Sequence, residues 1–246
     1  MKKEYNIGSL KSIFITKITF LALLFIVQTV PVFTQSTLFN IPSTDVVPTK
    51  KVYVEFDFVS HLERYNNGGF QAYIPRTVVG VGKKIEVGLN VAFTKSATPN
   101  SVEIQPNIKF QAYSNEKKGV AVSTGAILYA PVTRRTGTNT FAMLYSNVSK
   151  QVKGKYGPRL TGGGYGLVNR VTGAGERGGA IVGYEQPITD KVKFVADWFT
   201  GKNRFGYGTP GIAITTSPTS ALYLGYSIGN SGRKNNAFFA YWGITF

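Results

Sequence analysis

One histidine, the serine before it and a scatter of acids are all that this 246-residue chain offers to acid–base or nucleophilic chemistry. A catalytic nucleophile needs its base within hydrogen-bond reach and a third group to orient that base. Ser60 and His61 are neighbours in sequence, and in extended chain neighbouring side chains point apart, so the pair is poor triad geometry and His61 reads as a plain loop residue. There is no cysteine. No run of His, Asp or Glu has metal-ligand spacing, so neither a metal nor any other cofactor is expected. The glycine run G-G-G-Y-G at 162–166 is not a phosphate-binding loop, because no helical pattern follows it. Glycines inside a strand mark bends or close packing.

The acids take on a different meaning once the elements that carry them are traced. Residues 51–59 alternate, with Val52, Val54, Phe56 and Phe58 on one face and Tyr53, Glu55 and Asp57 on the other. Two carboxylates opposite four apolar side chains suit a wall with lipid outside and water inside. Residues 85–93 repeat the pattern, with Glu86 on the polar face, and 102–113 sets Glu103 and Lys109 opposite Ile104, Ile108 and Phe110. Pro106 sits on that apolar face and lacks an N–H, which should weaken one ladder bond. In 192–200, Lys193 and Asp197 oppose Val192, Phe194, Ala196 and Trp198. Glu55, Asp57, Glu86, Glu103, Lys109, Lys193 and Asp197 are therefore the candidate lumen-lining residues, joined by Glu185 and by Arg76 and Arg159, whose orientation the alternation does not fix. The set is mixed in sign, which points to paired structural networks more than to a ladder of substrate sites.

Further strands are expected at 70–81, 119–130, 140–149, 158–168, 179–187, 208–216, 221–229 and 237–246, twelve in all. Short turns alternate with longer loops. Boundary uncertainty of two to four residues leaves ten or fourteen open. An even number places both termini on one side. The fold class is therefore all-β, a transmembrane up-and-down antiparallel barrel spanning 51–246.

The N-terminal region supports export. Lys2, Lys3 and Lys11 precede an apolar run at 18–30 followed by Pro31, the pattern of a secretory signal peptide, with cleavage expected after Thr34. An uncleaved anchor is the competing reading, disfavoured by Lys17 within the run. Without a following cysteine a lipid-anchored lipoprotein is excluded. Residues 35–50 carry two prolines and no period, and read as an irregular lead-in on the periplasmic side. Removing residues 1–34 takes four lysines and one glutamate from a chain of net charge +16, leaving 24 basic against 11 acidic residues. Mean hydropathy near zero suits a wall whose two faces cancel.

The last strand alternates Phe238, Ala240, Trp242, Ile244 and Phe246 against Phe239, Tyr241, Gly243 and Thr245. It resembles the closing strand of bacterial outer-membrane β-barrels. That resemblance implies an insertion signal in Phe238, Trp242, Ile244 and Phe246, read by the barrel-insertion machinery, and a place in the cell outer membrane of a Gram-negative envelope. More loosely, residues 183–201, G-Y-E-Q-P-I-T-D-K-V-K-F-V-A-D-W-F-T-G, are similar to the later strands of small outer-membrane transporters grouped with the phenol-degradation MetA pathway, which implies no substrate.

Charge on the expected outer loops is strongly one-sided. Arg64, Lys95, Arg134, Arg135, Arg170, Arg177, Lys202, Arg204, Arg233 and Lys234 face only Glu63 and Glu176. A cationic mouth concentrates anions, with Arg134, Arg135, Arg170 and Arg233 as the candidate steering rim. Binding of lipopolysaccharide phosphates by the same residues carries equal weight. Nucleic-acid binding does not fit an envelope protein. The first functional reading is a channel for small polar, including anionic, solutes, monomeric or weakly associated, with oligomeric state open. The second is a barrel filled by side chains or plugged by 35–49, with a structural or surface-binding role. An outer-membrane enzyme is third.

Overall fold

Alternation of this kind can satisfy every backbone group in lipid only by closing on itself, because an open sheet edge leaves unpaired N–H and C=O groups. The chain does so. The computed structural model describes residues 36–133, 139–169, 175–232 and 236–246, all within one compact unit. Twelve strands follow in order: β1 (Val52–His61), β2 (Phe70–Gly82), β3 (Ile85–Ser96), β4 (Ser101–Asn115), β5 (Val120–Pro131), β6 (Phe141–Gln151), β7 (Arg159–Val168), β8 (Gly178–Pro187), β9 (Val192–Phe199), β10 (Tyr207–Ser217), β11 (Ser220–Gly229) and β12 (Ala237–Thr245). Each pairs with its sequence neighbours, and β1 closes the barrel on β12 in antiparallel register, Phe56 opposite Trp242 and Val54 opposite Ile244.

Side-chain parity is as the alternation requires. Phe56, Leu89, Phe110, Leu144, Leu160, Trp198, Ile212 and Trp242 all point outward and are exposed. A continuous apolar exterior of this kind marks a membrane-facing surface. Phe238 and Ile244 lie on the same outer face of β12, while Phe239 and Tyr241 are buried within. Three prolines interrupt single ladders. Pairing lapses between β4 and β5 around Pro106, between β2 and β3 around Pro75, and between β10 and β11 around Pro210, with register kept on either side. In each case the missing N–H accounts for the gap.

Two expectations change. His61 ends β1 and does not lie in the loop, because β1 runs two residues beyond its last clear alternation to pair His61 with Phe70. Residues 36–49 do not simply lead in to the barrel: they fold back inside it. Thr37 and Pro42 form an antiparallel bridge, and the Leu38 N–H donates to the Ile41 carbonyl at 2.9 Å, closing a hairpin. The segment returns to the rim where Thr49 bridges Gly80 in parallel. Gly80 permits this approach, since a Cβ there would lie 2.1 Å from the Pro48 carbonyl oxygen.

Candidate functional site: the lumen and its plug

The hairpin has an apolar face and a polar edge, and the wall answers each. Leu38, Phe39 and Ile41 are fully buried in a cluster with Ile181, Val195, Phe199, Tyr223, Phe239 and Tyr241 from the β8–β12 side. The Phe39 ring meets Tyr223 edge-on at 5.9 Å and Tyr241 edge-on at 6.2 Å, favourable quadrupole arrangements. Inward glycines make the socket. A Cβ on Gly225 would sit 2.8 Å from Phe39, and one on Gly183 would sit 2.7 Å from Ile41.

At the turn, one carboxylate gathers three successive backbone donors. Asp197 Oδ2 accepts the N–H groups of Phe39 at 2.9 Å and of Ile41 at 2.9 Å, as well as that of Asn40. Its Oδ1 accepts from the Asn40 side chain at 3.1 Å. A buried charge with both oxygens hydrogen-bonded is held stably, and here it pins a turn whose donors would otherwise be orphaned. Near the rim, Glu86 accepts from the Val47 N–H at 2.6 Å, from Ser36 at 2.8 Å and from Lys109 at 2.9 Å. Lys109 also donates to the Ser36 and Asp45 carbonyls at 3.0 and 2.6 Å. Arg159 reaches Asp45 with two nitrogens, at 2.5 and 2.8 Å. Gln111 and Asn147 donate to the carbonyls of Thr44 and Pro42. Burial alone would raise the Asp45 carboxyl, but the hydrogen bonds and charge of Arg159, with charge from Lys109 and Lys193, hold it below its ordinary value.

The lumen candidates thus divide. Asp197, Glu86 and Lys109 face inward and hold the hairpin. Glu55 and Asp57 are buried and share Arg76, at 3.2 and 2.8 Å, which places Arg76 inside as well. Lys193 is half-buried on the inner face of β9. Glu103 is taken up at the opposite mouth, where Arg204 from the 200–206 loop grips it with two bonds of 2.9 Å. The Arg204 guanidinium also lies 5.1 Å over Tyr129 and 5.2 Å over Phe205. Burial alone would lower its pKa, yet Glu103 moves it upward, so it stays charged. Arg204 is exposed like the other loop cations, but Glu103 on β4, beyond β5–β8, holds it in an ion pair. Arg64, Lys95, Arg177 and Lys202 are exposed. Arg134, Arg135, Arg170 and Arg233 lie outside the described residues.

Between hairpin and wall, on the β1–β6 side, space remains. A cavity of about 180 Å³ lies under Arg204 and Phe205, lined also by Asn40, Arg76, Gln105, Tyr129, Phe199 and Tyr207. A second, of about 60 Å³, lies toward the rim of short turns and adds Ser36, Tyr53, Glu55, Glu86, Asn90 and Asn107. The two share Asn40, Arg76, Gln105, Ile127 and Tyr129. Down this wall runs a relay: Asn107 donates to Asn90 at 3.4 Å, Asn90 to Gln105 at 3.2 Å, and Gln105 to Glu103 at 2.9 Å. Sequence parity shows that these amides face inward; that they stack into one ladder depends on the β3–β4 register, which no local pattern encodes.

Ser60 and His61 point to opposite faces. Ser60 is buried and donates to the Phe70 carbonyl at 3.3 Å, while His61 donates from Nδ1 to the Asn236 carbonyl and stacks on Phe70 at 6.3 Å.

The architecture is that of bacterial outer-membrane β-barrels. An outer-membrane channel from Pseudomonas putida F1 is similar over 82% of this chain and 97% of its own, with a TM-score of 0.51 and 12% identity. The outer-membrane phospholipase A of Escherichia coli aligns over 82% of this chain and 94% of its own, at a TM-score of 0.46 and 11% identity. The translocator domain of the autotransporter NalP from Neisseria meningitidis aligns over 80% and 87%, at 0.41 and 11%. No family model matches the chain and no curated protein matches it. At these identities the likeness is one of fold, and the expected twelve-stranded outer-membrane barrel is borne out at that level.

Proposed function

We propose that the protein is a narrow-bore outer-membrane channel for small polar solutes, in which residues 36–49 form a built-in constriction. The observation that carries this reading is the pair of polar cavities that run beside the hairpin from the Arg204 mouth toward the rim of short turns. A barrel serving only as a scaffold would be stabilised by apolar filling there; this one keeps Arg76, Gln105, Asn90 and Asn107 facing space. The shared fold of the P. putida F1 channel fits the reading. On this view residues 1–34 direct export, the apolar exterior meets lipid, loop cations contact lipopolysaccharide, and the last strand addresses the insertion machinery.

Single-channel recording of the refolded mature chain in a planar bilayer tests it. A small conductance is expected, rising severalfold when residues 36–47 are deleted and to a lesser degree in Asp197→Asn, which keeps the full chain. A wild-type barrel that stays silent, with both variants silent too, would make this a closed structural or surface-binding barrel.

A further inference from the structure

The charged groups that line the two cavities lie in ion pairs within the protein, with Glu55 and Asp57 sharing one guanidinium. Arg76 lies against Glu55 and Asp57, Glu86 against Lys109, and Arg204 against Glu103. Apart from the members of these pairs that line the cavities, the walls are uncharged: the carboxamides of Asn40, Asn90, Gln105 and Asn107, the ring of Tyr129, and the apolar faces of Ile127, Phe199 and Phe205. An anion entering this space would give up hydration without finding a cation that no carboxylate already holds. A neutral solute with several hydroxyls or amide groups exchanges its water hydrogen bonds for amides that both donate and accept. Its C–H faces meet the rings.

We infer that this double cavity is a binding and transit site for small uncharged polyhydroxyl or amide solutes, and that the inner bore discriminates against anions despite the cationic loops. The inference rests on the channel reading and names its solute class. Volume bounds the ligand. At a share of about 30 Å³ per water, the larger cavity of about 180 Å³ holds on the order of six waters, or one small solute with a comparable number of heavy atoms. The relay of Asn107, Asn90, Gln105 and Glu103 gives such a solute consecutive partners along its path. Glu103 has a second part here: by holding Arg204 bidentately it neutralises the cation that lines the mouth of the larger cavity.

Proteoliposome swelling with the full mature chain tests this, using erythritol and threonate, a neutral and an anionic solute of the same carbon skeleton. Erythritol should enter at least fivefold faster. Threonate entry equal to or faster than erythritol overturns the solute class and leaves the channel standing, whereas no swelling with either solute overturns both. Glu103→Gln, which releases Arg204, should raise the threonate rate and bring the ratio toward one. The double variant Asn90→Leu, Gln105→Leu should slow erythritol severalfold with threonate unchanged. An unaltered erythritol rate in a variant that still shows the gel-mobility shift of a folded barrel would overturn the assignment of the amide ladder.

Discussion

A single carboxylate oxygen holding three consecutive backbone N–H groups makes Asp197 the most consequential side chain in the lumen. Charge-assisted bonds contribute about 1.5–3 kcal/mol each, and orphaned buried donors add a further cost. Asp197→Asn keeps the volume but removes the charge and turns a donor toward donors. The hairpin should loosen by about 2 kcal/mol, roughly thirtyfold in the docked ratio. Amide hydrogen exchange at Phe39 and Ile41 should accelerate by that factor while strand amides stay protected; unchanged protection would mean that the packing of Leu38, Phe39 and Ile41 suffices. Asp45 adds a pH window. Its carboxyl is depressed in the folded state, so it stabilises docking fully above the ordinary value of 3.8 and loses that contribution as pH falls through the lower folded value. Docking of the 44–47 stretch should therefore be insensitive to Asp45 near neutral pH and weaken below about 3.8. Exchange at Val47 against pH measures it, and Asp45→Asn should show the weaker docking at every pH.

At the scale of the strand, the seam between β1 and β12 decides whether there is a barrel at all. Beyond the last β12 residue, the Phe246 N–H donates to the Val52 carbonyl at 2.8 Å and the Val52 N–H returns a bond at 3.3 Å, while the Phe246 side chain is 63% exposed. A charged residue at an interfacial depth costs only about 0–1 kcal/mol in a folded barrel. Phe246→Lys should therefore leave the melting of assembled barrel nearly unchanged. If the terminal aromatic is read during insertion, assembled protein in the outer membrane should fall severalfold. Normal levels would assign Phe246 to the seam alone. Strands were the most legible part of the chain. Each of the twelve expected segments overlaps an observed strand, because one face meets lipid and a one-residue slip would reverse every side chain. The orientation of Arg76 was not legible, since Ile74 and Val78, its inward neighbours, are as apolar as lipid-facing residues. They pack on the hairpin side of the wall, so an inner face that receives a plug loses the polarity that identifies a lumen.

For the molecule as a whole, the same plug explains why the site was only partly readable. Glu55, Asp57, Glu86, Lys109 and Asp197 announce an inner face by alternation alone, but the hairpin that Glu86, Lys109 and Asp197 hold lies up to 158 positions away, and only barrel closure brings them to it. The 35–50 segment offered two prolines and no period, which describe irregular chain equally well inside a barrel or outside it. Closure also fixes sidedness, and that supports a last prediction. Turns 83–84, 116–119 and 188–191 share one rim with the start of β1, where Thr49 bridges Gly80. If residues 1–34 direct export as proposed, residues 36–49 are left on the periplasmic side and enter the barrel from there. On that reading the rim bearing Arg204 faces outward, and a solute of the proposed channel meets the larger cavity first. The native chain has no cysteine, so single cysteines report cleanly. On intact cells an impermeant maleimide should label Lys202→Cys and spare Lys117→Cys, with both labelled after the outer membrane is permeabilised. Labelling of 117 with sparing of 202 would turn the barrel over, placing the plug's entry at the cell surface and the Arg204–Glu103 mouth in the periplasm.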